Sequence, residues 1–385
     1  MPLLKMIDFN SCNPPKCFQE NCRECEELLS GDITYFGKVQ VEANMLEVPD
    51  VKLMSPAGWK NLQQSCPDMR RAHAFIIRGK GVQKKEKGAS EVRTYLKECT
   101  VNKESLIVKR KLFPFQTTFS ELVAIPKEHA TVIIITLHKA WNHPSTAQML
   151  KMFDKKHFAI GTNQVIKKVC EACVDPCQAS KLIKKEHIQY ETQTKSDKAG
   201  VTFNTDVMEE SGQNILIIRD NLNSFSTAVI IPNQTKQFLM PAIKILIYQV
   251  KLGPQVTIRV DGQSALASIA ANQDLKGDGI ILQVGRPKNV NKNGVGEKAI
   301  RELRKQMVKI NPRGGRITHA ALQLAVSNLN DVIRHTGRSA CELHLGRDSA
   351  TGEKLNITDT QLFDIQYNTR QKNNVASAKA KSANA

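Results

Sequence analysis

Alternation of strands and helices between residues 198 and 335 restricts the fold more than any other feature. The segments VTFNTDV and VTIRVDG alternate apolar and polar residues with period two, which predicts two strands that end at or near Asp206 and Asp261. Between them, ILIIRD and STAVIIP predict a hairpin pair, followed by a helix with an apolar face, and GIILQVG predicts a further strand. This order predicts an α/β core: a mixed five-stranded sheet with helices on its faces.

The last helix of this region, in NKNGVGEKAIRELRKQ, divides into two faces. Its apolar stripe comprises Ala299, Ile300, Leu303, Met307 and Ile310, whereas Glu297, Arg301 and Arg304 lie on the other side. A glutamate in a first turn can simply complement the positive helix N-terminus, an effect on the order of a few tenths of a kcal/mol. A functional interpretation of Glu297 therefore needs support from its surroundings.

Two strand aspartates and one helix glutamate could converge at one edge of such a sheet. Asp206, Asp261 and Glu297 would then offer three hard oxygen ligands for Mg²⁺ or Mn²⁺, with coordination positions left for phosphate. About one residue in ten is acidic, so the spacing alone is weak evidence, and the weight comes from the order of elements.

A second group of candidate ligands precedes the sheet. His138 and His143 have four residues between them, Cys170 and Cys173 have two, and the pairs lie 26 residues apart. Two short-spaced pairs suit tetrahedral zinc, although an unrelated histidine pair and a structural CxxC remain the alternative. His157 and Cys177 lie nearby and are expected not to be ligands, because they break the paired spacing.

Four further cysteines, Cys12, Cys17, Cys22 and Cys25, are consistent equally with a second Zn²⁺ site and with free thiols.

Charge indicates the partner class. The 55 Lys and Arg against 37 Asp and Glu give a net charge of +18, which favours nucleic acid first and an acidic membrane second. No stretch approaches the roughly 18 apolar residues of a membrane span, and the start lacks the apolar core of a signal peptide, so we expect an intracellular protein. In that compartment the ten cysteines favour metal ligands or free thiols over disulfides.

Composition and periodicity predict five regions along the chain. In order, these are an extension with a cysteine cluster and a basic loop, a small helical zinc-binding domain, the α/β core, a helix with a linker, and a disordered tail: 1–115, 116–190, 198–310, 311–376 and 377–385.

The chain resembles a retroelement integrase at these motifs. The HHCC set His138, His143, Cys170 and Cys173 precedes Asp206, Asp261 and Glu297, with 35 residues between the last two. GVTFNTDVMEESGQNILIIRDNLNSFSTAVIIP and NKNGVGEKAIREL look closest to gypsy-like LTR retrotransposon integrases, over roughly residues 60 to 370. The resemblance implies an RNase H-like catalytic core, metal-dependent 3′-end processing, and transfer of element DNA ends into target DNA by a polynucleotidyl transferase. It also implies homo-multimers on double-stranded DNA.

The same resemblance implies roles for individual residues. Asp206, Asp261 and Glu297 match the metal-binding catalytic triad. The expected DNA contacts lie around the same helix: Asn293, Lys298, Arg301, Arg304 and Lys305. For these polar residues, a solvated helix face is the alternative.

Two other functions are compatible with the sequence. No SH3-like or chromodomain-like module follows the core, so a host-retained or truncated DNA-binding protein without catalytic activity is the main alternative. A simple RNase H nuclease is disfavoured because it leaves the HHCC set without a purpose. A DNA substrate implies the nucleus as the place of action, with the cytoplasm as a second location.

Overall fold

The structure is a computed structural model that describes residues 54–79, 89–173, 177, 198–261, 265–270, 272–285 and 294–383. These residues form two compact units. One takes the described residues within Gln40–Ala172 and Asp331–Ala385, which we call the discontinuous unit. The other takes those within Cys173–Asn330, which we call the core unit. Among the described helices, none combines the length and apolarity needed to cross a membrane.

The first part of the discontinuous unit contains six helices and four strands among its described residues. They are, in chain order, α1 (Pro56–Ser65), α2 (Pro67–Arg78), α3 (Ala89–Glu98), β1 (Thr100–Val101), β2 (Ile107–Lys111), β3 (Ser120–Ile125), α4 (Lys127–Ala140), α5 (Thr146–Phe153), β4 (His157–Ala159) and α6 (Thr162–Ala172). The strands form one sheet in the order β1-β2-β3-β4, in which only the β3–β4 pair is parallel.

The core unit comes next along the chain. Its elements are β5 (Thr202–Glu210), β6 (Gln213–Asp220), β7 (Ser226–Ile231), α7 (Lys236–Val250), β8 (Val256–Val260), a short 3₁₀ turn (Ala267–Ile269), α8 (Gln273–Gly277), β9 (Ile280–Val284), α9 (Gly294–Ile310) and α10 (His319–Asp331). The chain then returns to the discontinuous unit with α11 (Ala340–Leu345) and α12 (Asp359–Ala383).

The sheet of the discontinuous unit corrects two sequence predictions. Strand β2 pairs antiparallel with β3, so the predicted boundary near residue 115 falls inside one sheet rather than between domains. The predicted helical domain also contains β3 and β4, whose backbones pair in parallel. Strands of three to six residues between helices carry too few alternating positions for the period-two pattern to be recognised.

Both faces of this sheet are covered. On one face, Val108 and Ile125 pack in a cluster with residues of α1, α4, α5 and α6. On the other face, Ile107 and Ala124 pack against residues of α2 and α3, including Met69 and Tyr95. Because β2 and β3 are buried on both sides, the described residues 54–79 and 89–111 belong to the same core as the next segment and are not a loose extension.

The core unit confirms the predicted mixed five-stranded sheet with flanking helices. Its strand order is β7-β6-β5-β8-β9. Strands β5, β6 and β7 are antiparallel neighbours, whereas β8 lies parallel to β5 and β9 parallel to β8. The predicted apolar face of α7 is also confirmed, since Leu239, Ile243, Leu246 and Val250 are all buried against one face of the sheet.

The core extends beyond its predicted end at residue 310. Helix α10 buries Leu322, Ala325, Val326 and Leu329 in the cluster that also contains Ala299 of α9, on the opposite face of the sheet from α7. The predicted linker region 311–376 is therefore divided between the two units.

The predicted disordered tail from residue 377 is instead helical, because α12 continues to Ala383. The alanines and lysines of this segment are strong helix formers, which accounts for the difference.

Four buried charged side chains hold the returning segment in the discontinuous unit. Lys155 donates to Glu342 Oε1 at 2.6 Å, and Arg338 forms ion pairs with Glu342 and Asp348. Arg338 also donates through Nη2 to the carbonyl of Pro114 at 2.6 Å. Burial alone would raise the pKa of Glu342, but Lys155 beside it and donated backbone N–H groups lower that pKa below its ordinary value. The cluster is therefore a set of paired charges at neutral pH, and it joins residues 187 positions apart.

We expect Glu342→Ala to destabilise this unit by about 3–5 kcal/mol, because it leaves two buried cations without their shared carboxylate. Both tryptophans of the chain, Trp59 and Trp141, lie in this unit, so urea denaturation followed by tryptophan fluorescence reports on it directly. Glu104→Gln, on an exposed turn, is the matched control and is expected to change the free energy of unfolding by less than about 0.5 kcal/mol. Equal effects of the two variants would contradict a stabilising role for the cluster.

Candidate active site and metal cluster

Strand register places two of the predicted acids side by side. The parallel pairing of β5 with β8 aligns Thr202 with Thr257 and Asn204 with Arg259. Continuing that register by two residues brings Asp206 level with Asp261, the residue that comes directly after β8. Adjacent strands lie about 4.8 Å apart, and residues with the same register parity point to the same face. The two carboxylates therefore lie on one face of neighbouring strands.

That face is the one covered by α9. Asp206 is directly opposite Ile217 on β6, and Ile217 packs with Ala299 and Leu303 of α9. The predicted apolar stripe of α9 is confirmed, and Glu297 lies exposed in the first turn of the same helix. Helix α9 thus presents Glu297 above the face that carries the two aspartates.

Two ion pairs fix α9 to the sheet. Arg219 of β6 is almost completely buried and lies 2.9 Å from Glu302 of α9, while its Nε donates to Ser226 Oγ at 2.8 Å. Two residues further along the helix, Arg304 Nε donates to Glu210 Oε2 at 2.8 Å. A helix held at both points and along its apolar stripe has little freedom to move Glu297 away from the strands.

The pKa of Asp206 reflects its surroundings, including two nearby carboxylates. The pKa of Asp206 is raised to about 6, first by burial and further by the negative charges of Glu297 and Asp261, against the effect of an N–H donated by Val207. Two negative charges close to this half-buried carboxylate disfavour its ionised form. Such a group is stabilised by a bound cation, and carboxylate oxygens are the donors that Mg²⁺ and Mn²⁺ prefer.

The predicted DNA contacts on α9 have different surroundings. Lys298 is exposed, and Arg301 and Lys305 are half-buried. Arg304 differs from the prediction, since its guanidinium is paired with Glu210 and also donates to the carbonyl of Glu209. An arginine already neutralised by a carboxylate is a poor phosphate ligand, so we remove Arg304 from the contact set. Asn293 lies outside the described residues.

A compact group of four metal-ligating side chains lies near the end of α6. Ligand atoms of His138, His143, Cys173 and Cys177 all lie within 4.8 Å of one another. His138 is in the last turn of α4, and the turn after this helix returns the chain so that the two imidazole rings are 4.9 Å apart. In this turn Asn142 and His143 both have positive φ, a strained conformation that functional sites often retain.

The cluster differs from the predicted ligand set at one position, where Cys177 replaces Cys170. Cys170 is buried in the apolar cluster that contains Ile166 and Val169, although its Sγ lies 3.7 Å from His138 Nδ1. Ile166, Val169 and Cys170 have helical spacing, so the sequence contained a signal that Cys170 belongs to the buried stripe of α6. Cys173 directly follows the helix, and Cys177 is four residues further on. His157, expected not to be a ligand, is absent from this group of described residues.

Two nitrogen and two sulfur donors of this kind suit a tetrahedral zinc site. Cys12, Cys17, Cys22 and Cys25, the possible second zinc site, lie outside the described residues.

Comparisons with known proteins give a limited result. No family model matches the chain, and no curated protein matches it. Among solved structures, one similar chain is the catalytic core domain of BIV integrase, at 22% identity and a TM-score of 0.33. The match covers 38% of this chain and 94% of that chain. We therefore interpret the carboxylates from the geometry of this chain.

We expect the wild-type chain to bind one zinc ion and Cys177→Ser to lose it, because the substitution removes one of the four side chains of the cluster. Cys170→Ser is the matched control, with the same chemical change seven residues earlier, and should retain zinc. Metal content per chain, measured by atomic absorption after dialysis, checks both variants. Loss of zinc in Cys170→Ser with retention in Cys177→Ser would reinstate the ligand set predicted from the sequence.

Proposed function

We propose that this protein is a metal-dependent polynucleotidyl transferase of the integrase type, with an RNase H-like core, that joins element DNA ends to target DNA. The observation that carries the proposal is the placement of Asp206 and Asp261 at one level of two parallel strands, beneath the helix that bears Glu297. The order of strands and the resemblance of the motifs to gypsy-like integrases support the same function.

The three carboxylates fit a divalent cation on the evidence of their own chemistry. Asp206 is half-buried next to two other acids, an arrangement that is unfavourable without positive charge. Asp206, Asp261 and Glu297 would hold Mg²⁺ or Mn²⁺. When bound, such ions activate the attacking hydroxyl or water and stabilise the leaving oxygen of an in-line displacement.

The chain itself supplies position and charge for the reaction. Packing of α9 and its two ion pairs fix the carboxylates, so a phosphodiester entering the site meets groups that need no rearrangement. In strand transfer, a DNA 3′-hydroxyl oxygen forms a new bond to phosphorus while the existing bond to the bridging 3′ oxygen breaks. The attacking hydroxyl loses its proton and the departing oxygen gains one, so the number of phosphodiester bonds is unchanged.

Partners and location follow from this proposal. Double-stranded DNA is the substrate, consistent with the net charge of +18. Two DNA ends must be joined together, which favours a homo-multimer on DNA and action in the nucleus. The cluster of His138, His143, Cys173 and Cys177 would hold Zn²⁺ and stabilise the segment around α4 and α6.

A branched DNA that mimics the joined product tests the catalytic assignment. Attack by the target 3′-hydroxyl on the joining phosphate releases the branch, and this reversal tolerates an unknown end sequence better than forward integration. We expect release with added Mg²⁺ or Mn²⁺, and a fall to below about 1% of the wild-type rate in Asp206→Asn and in Glu297→Gln.

Glu209→Gln is the control for this experiment, because Glu209 is an exposed carboxylate on the same strand with the opposite register parity to Asp206. It should release the branch at the wild-type rate. If the wild-type chain binds duplex DNA but releases no branch, the chain is a DNA-binding protein without this activity.

The corrected contact set gives a separate prediction on α9. We expect Arg301→Gln to weaken duplex binding and to lower the slope of log affinity against log salt by about 1, as loss of one phosphate contact does. Arg304→Gln should leave that slope unchanged, because Glu210 already neutralises this arginine. Fluorescence anisotropy with a labelled duplex between about 50 and 200 mM salt measures both slopes. A larger effect of Arg304→Gln would show that its pairing with Glu210 opens on DNA.

A further inference from the structure

A basic pocket lies in the discontinuous unit, where α1, α2 and the start of β2 meet. Its volume is about 420 Å³. Met69 and Ile107, both fully buried, contribute to its floor, and three side chains that carry or can carry positive charge line it: Lys60, Arg70 and His73. No carboxylate belongs to the described lining of this pocket.

Buried hydrogen bonds hold the walls of the pocket in place. Gln63 of α1 donates through Nε2 to the carbonyls of Ile107 at 3.0 Å and Ala124 at 2.8 Å. The backbone N–H of Ile107 donates to Gln63 Oε1 at 2.8 Å. Helix α1 is thereby fixed to the sheet, and the next residue, Gln64, adds a polar group to the lining together with Ser105. The cations therefore surround a formed concavity and are not scattered on a convex surface.

We propose that this pocket is a second nucleic-acid contact of the protein, which takes the phosphodiester backbone of duplex DNA outside the catalytic carboxylates. Charge complementarity decides the partner class, because several cationic or polar donors converge with no acid among them. Among the described residues of its lining there is no Trp, Tyr or Phe on which a base could stack, which favours backbone phosphates over a free nucleotide or a splayed single strand. Cations placed on two separate helices also suit successive phosphates along a strand.

This contact rests on DNA as the partner of the chain but not on phosphoryl transfer. The experiment uses the full chain without added Mg²⁺ or Mn²⁺ and measures anisotropy of a labelled blunt duplex. We expect the double variant Lys60→Gln/Arg70→Gln to bind at least about tenfold more weakly, with a salt slope lower by about 2, as loss of two phosphate contacts requires. The charge-preserving variant Lys60→Arg/Arg70→Lys should bind within about twofold of wild type, because this electrostatic contact requires the charges rather than a particular cation.

Arg78→Gln/Lys97→Gln is the matched control, since it removes the same two charges from exposed positions in the last turns of α2 and α3. If this control and the pocket variant weaken duplex binding equally, the inference is overturned, because net charge alone then accounts for the binding. Unchanged duplex binding of the pocket variant, with loss of binding to phosphatidylserine vesicles, would also overturn it in favour of an anionic lipid. Wild-type duplex binding that depends on the pocket, without branch release, would sustain this contact while refuting the proposed catalysis.

Discussion

Strand β5 carries the constraint on which the core unit depends, because both of its faces are covered by different helices. Phe203 faces the cluster that contains the buried residues of α7, and Met208 faces the cluster that contains those of α9. A shift of one residue in the pairing with β6 or β8 would exchange these faces and place Asp206 on the wrong side of the sheet. Burial of Phe203 and Met208 on opposite faces of the sheet thus fixes the face on which the Asp206 side chain lies.

Packing also explains how three acids can remain close together. Burial is the first cause of the raised pKa of Asp206, and the negative charges of Glu297 and Asp261 raise it further. Interaction between like charges does not itself bring these carboxylates together. Strand register and the ion pairs Arg219–Glu302 and Arg304–Glu210 hold them in place, so the site stores repulsion that a divalent cation would relieve. We regard this combination of rigid support and unfavourable charge as the physical basis of the proposed catalysis.

The discontinuous unit depends on a different kind of interaction. Its chain leaves at α6 and returns after α10, and the returning segment is held by Lys155, Arg338, Glu342 and Asp348, all of them buried. Ion pairs in a buried setting require close geometry, since each charge has lost its water. They therefore specify one position for α11, where apolar contacts alone would tolerate several. The basic pocket formed by α1, α2 and β2 lies in this same unit, and the described residues of its lining include no carboxylate.

Local patterns were enough for much of the candidate site. The period-two strands and the apolar stripes of α7 and α9 were readable, because each depends on residues a few positions apart. Asp261 directly follows β8 as predicted, whereas Asp206 lies within β5, which continues to Glu210. Cys177 of the His and Cys cluster was missed and Cys170 was chosen instead, since spacing between cysteines does not show which one a helix turns into the core. The apolar neighbours Ile166 and Val169 could have decided that choice.

By itself, then, the sequence determined the strands and helices of the core, the positive charge that favours DNA, and the acids that can hold a cation. Only the tertiary structure decided which of the basic residues on α9 is already paired, which four His and Cys side chains converge, and that β1 and β2 share one sheet with β3 and β4. The physical reason is distance along the chain. Arg304 and Glu210 lie 94 residues apart, and Lys155 and Glu342 lie 187 apart, so no local periodicity records their pairing.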